Sequence, residues 1–174
     1  MNESNQASRL NNRRKSHYSS FLGEAVARDA RSSDGGKMPI EILTFPPTES
    51  RPHYLVVTNG LSNFIQPGPH DAQTPPRIEL MLYSTKKPKL GIYETLDNFV
   101  EGPYTQTRCV NSGCGITFSS FPDQEPLPLE DIIIHGPYKP NEFEPMAVDG
   151  EETCMMLLAP FVKNQGSASQ PAIF

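Results

Sequence analysis

Apolar and polar positions change rhythm several times along this chain, and each change marks an element. After Met1, residues 1–16 (MNESNQASRLNNRRKS) carry Leu10 as their one large apolar side chain, which predicts a disordered polar leader. From His17 onward, Tyr18, Phe21, Leu22, Ala25 and Val26 recur at three- and four-residue spacing, the stripe of an amphipathic helix. Ser32-Ser33-Asp34-Gly35-Gly36 ends that helix, because glycine supplies the left-handed conformations that stop helices. Ile40 to Phe45 alternates and is closed by Pro46-Pro47, a short strand. His53 to Thr58 is almost continuously apolar, which predicts a central strand buried on both faces.

Residues 64–76 (FIQPGPHDAQTPP) hold four prolines and a glycine and read as loop, followed by an alternating strand over Arg77–Tyr83. Tyr93, Leu96, Phe99 and Val100 give a second helix, ended by Gly102-Pro103. Gly115–Phe118, Ile132–Ile134 and Cys154–Leu158 are short strands, the last stopped by Pro160, and Phe143–Val148 is a further strand candidate. The expected architecture is therefore α+β: a mixed, mostly antiparallel sheet of six to seven short strands with two main helices packed on it. It spans 17–163, with a frayed tail over 164–174.

Composition narrows the class. In a chain of 174 residues, 18 prolines and no tryptophan fit short strands joined by pinned loops rather than a helical bundle. No run approaches the roughly 20 apolar residues of a membrane span, and the polar start carries no secretory signal, so the expected location is the cytoplasm. The net charge of −5 is unevenly placed. Residues 1–37 carry seven Lys/Arg against four Asp/Glu, whereas the rest carry eight against sixteen. An acidic body is a poor match for nucleic acid, and Arg13-Arg14-Lys15 reads as a solvated lead-in to the first helix rather than a nucleic-acid arm.

Candidate chemistry is sparse. Cys109 and Cys114 have no fourth-ligand pattern to complete a zinc site with His135, and Cys154 reads as a buried small hydrophobe. Gly60-Leu61-Ser62 superficially matches a nucleophile elbow, with His53 or His135 as the base of a hydrolase, but position 64 is Phe where the elbow needs glycine. The alternative is that Thr58 and Ser62 hydrogen-bond loop backbone while Gly60 takes a positive φ. Adjacent carboxylates Glu130-Asp131 and Glu151-Glu152 point to opposite faces of a strand and make poor acid/base pairs. No catalytic constellation, metal site or cofactor-binding loop emerges, so no enzyme and no cofactor are expected.

The stretch Ile40–Phe64, with Arg51-Pro52-His53-Tyr54 and Thr58-Asn59-Gly60-Leu61-Ser62, resembles the signature region of the suppressor-of-fused domain family. That family has a Glu-Leu strand after a variable loop, matched here by Glu79-Leu80, then a helix, a Gly-x-x-Ile/Thr strand and an apolar C-terminal strand. The matching order extends over about residues 17–162. The resemblance implies a non-enzymatic protein-binding module whose motif residues Arg51, Pro52, Tyr54, Thr58, Gly60, Ser62, Glu79 and Leu80 are structural. It further implies a protein partner, either a toxin domain neutralised by a small bacterial immunity protein or a regulatory peptide. Proline-flanked strand edges fit peptide addition to the sheet.

Overall fold

A seven-stranded sheet carries a helix on each face. The computed structural model describes residues 3–113, 115–117, 131–147, 150 and 153–161. In chain order the elements are α1 (Glu3–Leu22), β1 (Val26–Arg31), β2 (Lys37–Phe45), β3 (Tyr54–Asn59), a single 3-10 turn (Leu61–Asn63), β4 (Ile78–Ser84), α2 (Leu90–Tyr104), β5 (Gly115–Thr117), β6 (Asp131–Tyr138) and β7 (Cys154–Phe161). The strand order is β1-β2-β3-β4-β7-β6-β5. Every pairing is antiparallel except β4 with β7, so two antiparallel meanders join along one parallel seam. This is the mixed, mostly antiparallel α+β sheet expected from the sequence.

Two faces of the sheet need two covers. On one face Ile40, Ile42, Val56, Leu80 and Leu82 pack with Leu96, Phe99 and Val100 of α2. On the other, Leu43, Phe45, Leu55, Val57 and Met81 pack with Tyr18 and Leu22 of α1 and with Phe143. Because successive strand residues point to opposite faces and both faces are covered, β3 and β4 are buried at nearly every position. Each fully buried aliphatic side chain contributes about 1.5–3 kcal/mol.

Residues 3–16 are not a disordered leader: they are the body of α1. Nothing in Glu3–Leu22 is glycine, proline or β-branched, so little opposes the helix. Its inward stripe is polar at Asn11 and Arg14, both buried, and only Tyr18 and Leu22 are buried apolar anchors. A stripe satisfied by hydrogen bonds carries no hydrophobic periodicity. The same helix stops earlier than the pattern predicts. Gly23 takes φ +86 and its N–H donates to Ser19 O at 3.0 Å, the left-handed end of a helix. Ala25 and Val26 therefore leave the helix, and Val26–Arg31 pairs with β2 as an edge strand.

Other boundaries shift modestly. Pro103 sits in the last turn of α2, which ends at Tyr104 rather than at Gly102. Pro160 lies opposite Ile132, and β7 continues through it to Phe161. Residues 143–147 form no strand; Phe143 instead sets its ring edge-on against Tyr18 at 4.9 Å. Val148, Phe118, Cys114, Glu130, Glu151-Glu152 and the 164–174 tail lie outside the described residues.

Candidate functional site

The distinctive chemistry of the chain gathers around one buried carboxylate. Glu79 stands on β4 facing α1, and its side chain is fully buried. Its Oε1 accepts from the backbone N–H of Gly60 at 3.0 Å, the N–H of Ser62 at 3.1 Å and the Ser62 hydroxyl at 2.7 Å. Its Oε2 accepts from the Thr58 hydroxyl at 2.5 Å, and the Leu80 N–H donates to that same hydroxyl at 2.8 Å. The Thr58 and Ser62 hydroxyls and the Gly60 and Ser62 N–H groups of Thr-x-Gly-x-Ser are thus aimed at a single carboxylate, across the β3–β4 pairing. Gly60 takes φ +116, and a Cβ there would stand 2.8 Å from the Asn11 amide and 2.9 Å from Pro39 O. Glycine is required twice over, for the conformation and for the approach of α1.

A buried anion needs a cation or several donors, since an isolated one is strongly disfavoured in a low-dielectric interior. Arg14 of α1 supplies the cation, with Nη1 3.5 Å from Glu79 Oε1 and both side chains fully buried. Arg14 Nη1 also donates to Asn59 Oδ1 at 3.0 Å, and Nη2 to Asn63 Oδ1 at 3.0 Å. Asn59 Nδ2 returns to Asn11 O at 3.1 Å and to Glu41 Oε2 at 2.8 Å, while Asn63 Nδ2 donates to Asn11 Oδ1 at 2.8 Å. The Tyr18 hydroxyl, one turn on from Arg14, is buried without a hydrogen-bond partner among the described residues. Burial chiefly, and then the charge of Glu79, push its pKa well above the usual phenol value, with Arg14 partly opposing them.

The other motif residues sit at the far end of β3. Arg51 is buried and ties three carbonyls together: Nη2 donates to Pro46 O at 2.6 Å and to Leu22 O at 3.4 Å, and Nε to His53 O at 3.3 Å. It thereby fastens the end of α1 to the entrance of β3. Its burial lowers the guanidinium pKa, against which Glu142 and Tyr83 act. Tyr83 donates to Glu142 Oε2 at 2.8 Å; burial first, then that bond, drives the phenol pKa up. Pro52 is exposed and Tyr54 half-buried.

These positions decide what the candidate nucleophile can do. Ser62 is fully buried, and its proton is committed to Glu79. His53 precedes β3 whereas Ser62 follows it, and at about 3.3 Å per residue that strand holds them roughly 20 Å apart. His53 instead stacks edge-on against Tyr83 at 5.1 Å, and His135 is exposed on β6. Arg14, offered by the sequence as part of a solvated basic cluster, is buried; Lys15 pairs with Glu41 at 3.7 Å, and only Arg13 of the three is exposed. Among the described residues no cluster of three or more His, Cys, Asp or Glu could hold a metal ion. Cys109 is a free thiol, half-buried, and Cys154 is half-buried at the start of β7.

Sequence reasoning missed Asn11, Arg14, Asn59 and Asn63. Their signal was spacing without hydrophobicity: Asn11, Arg14, Tyr18 and Leu22 follow a helical stripe whose first half is polar. It also missed Asp97. That carboxylate grips Arg28 in two bonds of 3.2 and 2.7 Å and accepts the Arg31 N–H at 3.1 Å, joining α2 to the edge strand.

A mixed sheet between two helices, knotted by a buried carboxylate that the Thr-x-Gly-x-Ser turn encloses, defines a domain class. The chain belongs to the suppressor of fused protein (SUFU) family, whose model matches residues 36–169. A crystal structure assigned as a SUFU homolog from Neisseria gonorrhoeae FA 1090 has the same fold, with a TM-score of 0.60, at 17% sequence identity over 90% of this chain and 79% of that one. No curated protein matches the sequence. No described helix is long and apolar enough to cross a membrane.

Proposed function

We propose that this chain is a non-enzymatic protein-binding module that acts in the cytoplasm as an immunity protein, binding and neutralising a toxin domain. Membership of the suppressor-of-fused family supports the binding role. The observation that carries the non-enzymatic reading is the commitment of Ser62: its hydroxyl donates to Glu79 at 2.7 Å, and the side chain is closed to solvent. A nucleophile needs an approach path for its substrate, and the fully buried Ser62 has none. Thr58, Gly60, Ser62, Glu79 and Arg51 then serve the fold, leaving the surface for the partner. The free thiol of Cys109 fits a reducing compartment.

The test is co-expression with the toxin domain encoded beside this chain. Expected are restored growth of cells that make the toxin and a stoichiometric complex on affinity purification. Failure of both would overturn the immunity reading. Covalent labelling of Ser62 by a fluorophosphonate, lost in Ser62→Ala, would overturn the non-enzymatic one.

A further inference from the structure

The open edge of β1 differs from the opposite, three-residue edge at β5, and it borders a cleft. β1 is the outermost strand, and one side of it is paired only by β2. Against it runs α2, and between them lies a cleft of about 450 Å³ whose lining includes Arg28, Arg31, Leu90, Glu94 and Asn98. The Arg31 N–H leaves the sheet edge to donate to Asp97 at 3.1 Å, so Asp97 caps the edge at that point. By the two-residue period of a strand, the N–H and C=O groups of Ala27 and Asp29 face the same outer side. Ala27 and Asp29 are both exposed. Natural sheets blunt such edges with lysine, proline or a bulge; Val26–Asp29 contains no lysine or proline, and the register shift of this strand pair falls after it, between Asp29 and Arg31.

The surroundings of this short open segment are chemically uneven. Val26 is 72% exposed and Leu90 is 62% exposed, two of the four large apolar side chains left to solvent among the described residues. Val26 lies opposite Thr44, whose hydroxyl meets Tyr93 Oη at 3.0 Å, and Leu90 precedes Tyr93 by one turn of α2. Both therefore mark the same end of the cleft. At that end Lys86, Lys87 and Lys89 are exposed, with no ion-pair partner among the described residues. In a chain of net charge −5 this is a local excess of positive charge beside apolar surface and an open strand edge.

We propose that an extended, acidic protein segment docks here by adding a short strand to β1 at Ala27–Asp29. Its apolar side chain covers Val26 and Leu90, and its flanking carboxylates face Lys86, Lys87 and Lys89. Backbone bonds supply the affinity and the lysines the selectivity. The β1 edge precedes residue 36, where the family match begins, whereas Leu90 and the three lysines lie within it. The inference rests on the reading of the chain as a protein-binding module and names the partner chemistry for it.

Selection of displayed random 12-residue peptides against the purified full chain tests this without the toxin. Enriched peptides should be acidic strand formers, and their binding should protect the Ala27 and Asp29 amides from hydrogen exchange. Affinity should fall at least tenfold in Lys86→Glu/Lys87→Glu/Lys89→Glu and weaken as salt rises. Ala27→Pro, which removes an outward N–H without breaking the β1–β2 ladder, should abolish binding. No enrichment, peptides without acidic excess, or full binding to the triple variant would overturn the proposal. So would a dimer of this chain that Ala27→Pro dissolves, because the edge would then serve a second copy. Growth rescue by this chain with no protection at Ala27 and Asp29 in the toxin complex would sink the docking site while leaving the immunity reading standing.

Discussion

Replacing Glu79 by Gln probes the knot with almost no change of shape. Gln keeps an oxygen for the N–H groups of Gly60 and Ser62, but places an amide where Thr58 donates at 2.5 Å. It also removes the one carboxylate paired with Arg14 among the described residues, and the Arg14 side chain is fully buried. Breaking one partner of a buried pair costs about 3–5 kcal/mol, because the remaining charge stays in a low-dielectric site. Against a typical total stability of about 5–15 kcal/mol, that is a large fraction. Urea denaturation followed by circular dichroism at pH 7 should show a lower midpoint at unchanged slope. Arg14→Met should cost a similar amount, since it leaves the Glu79 charge without a cation and Asn59 and Asn63 without a donor. The double variant should lose less than the sum of the two, with a coupling of about 1–3 kcal/mol. A Glu79→Gln cost below about 1 kcal/mol, or additive single effects, would refute the pairing as the organiser of this region.

Four further outcomes follow from the same geometry. Gly60→Ala should destabilise by more than the roughly 1 kcal/mol of an ordinary glycine replacement, because the new methyl meets Asn11 and Pro39 O at 2.8–2.9 Å; thermal melting checks it. Tyr18→Phe should leave stability unchanged or raised, since it removes a buried hydroxyl with no partner among the described residues, and a clear loss would show that the hydroxyl is bonded. Deleting residues 1–16 should unfold the domain rather than trim a tail, because Arg14 leaves with them; a folded product with native amide dispersion would contradict this. Asp71 accepts the N–H groups of Thr74 and Gln73, bonds that hold its carboxyl below the usual aspartate pKa. A depressed carboxylate stabilises its turn fully above about pH 4 and loses that contribution as pH falls through the folded value, so the Gln73 and Thr74 amide shifts should titrate together in acid.

Strands and the second helix were legible because their burial is apolar and periodic. His53–Thr58 announced a strand covered on both faces, and α1 with α2 supply the two covers. The motif was legible as a pattern but not as a geometry. Nothing local in Thr58-Asn59-Gly60-Leu61-Ser62 says that its donors converge on Glu79, about twenty residues later, since that depends on the β3–β4 register. The first helix was illegible for a different reason. Arg14 is as buried as Tyr18 and Asn11 nearly so, yet their partners lie on other elements and their own polarity reads as solvent exposure. The β1 strand was hidden by Ala25 and Val26, which extend a helical spacing that Gly23 physically ends.

Buried ion pairs are weak evidence for stability, because well-packed apolar residues of the same volume often serve as well. Here the pair has a geometric use that apolar residues could not provide. Tyr18 and Leu22 alone are too few apolar anchors to fix how far α1 slides along the sheet. A slip of one turn, about 5.4 Å, would bring Leu10 or Tyr18 opposite Glu79 in place of Arg14. Neither side chain carries a positive charge, so a slip of one turn in either direction leaves the carboxylate uncompensated. Lys15 with Glu41 and Asn11 against Gly60 read the same register at neighbouring positions. Arg51 then pins the helix end through Leu22 O. The Thr-x-Gly-x-Ser turn and the Arg-Pro entry, separated by the length of β3, thus hold the two ends of one relationship, that between α1 and the sheet.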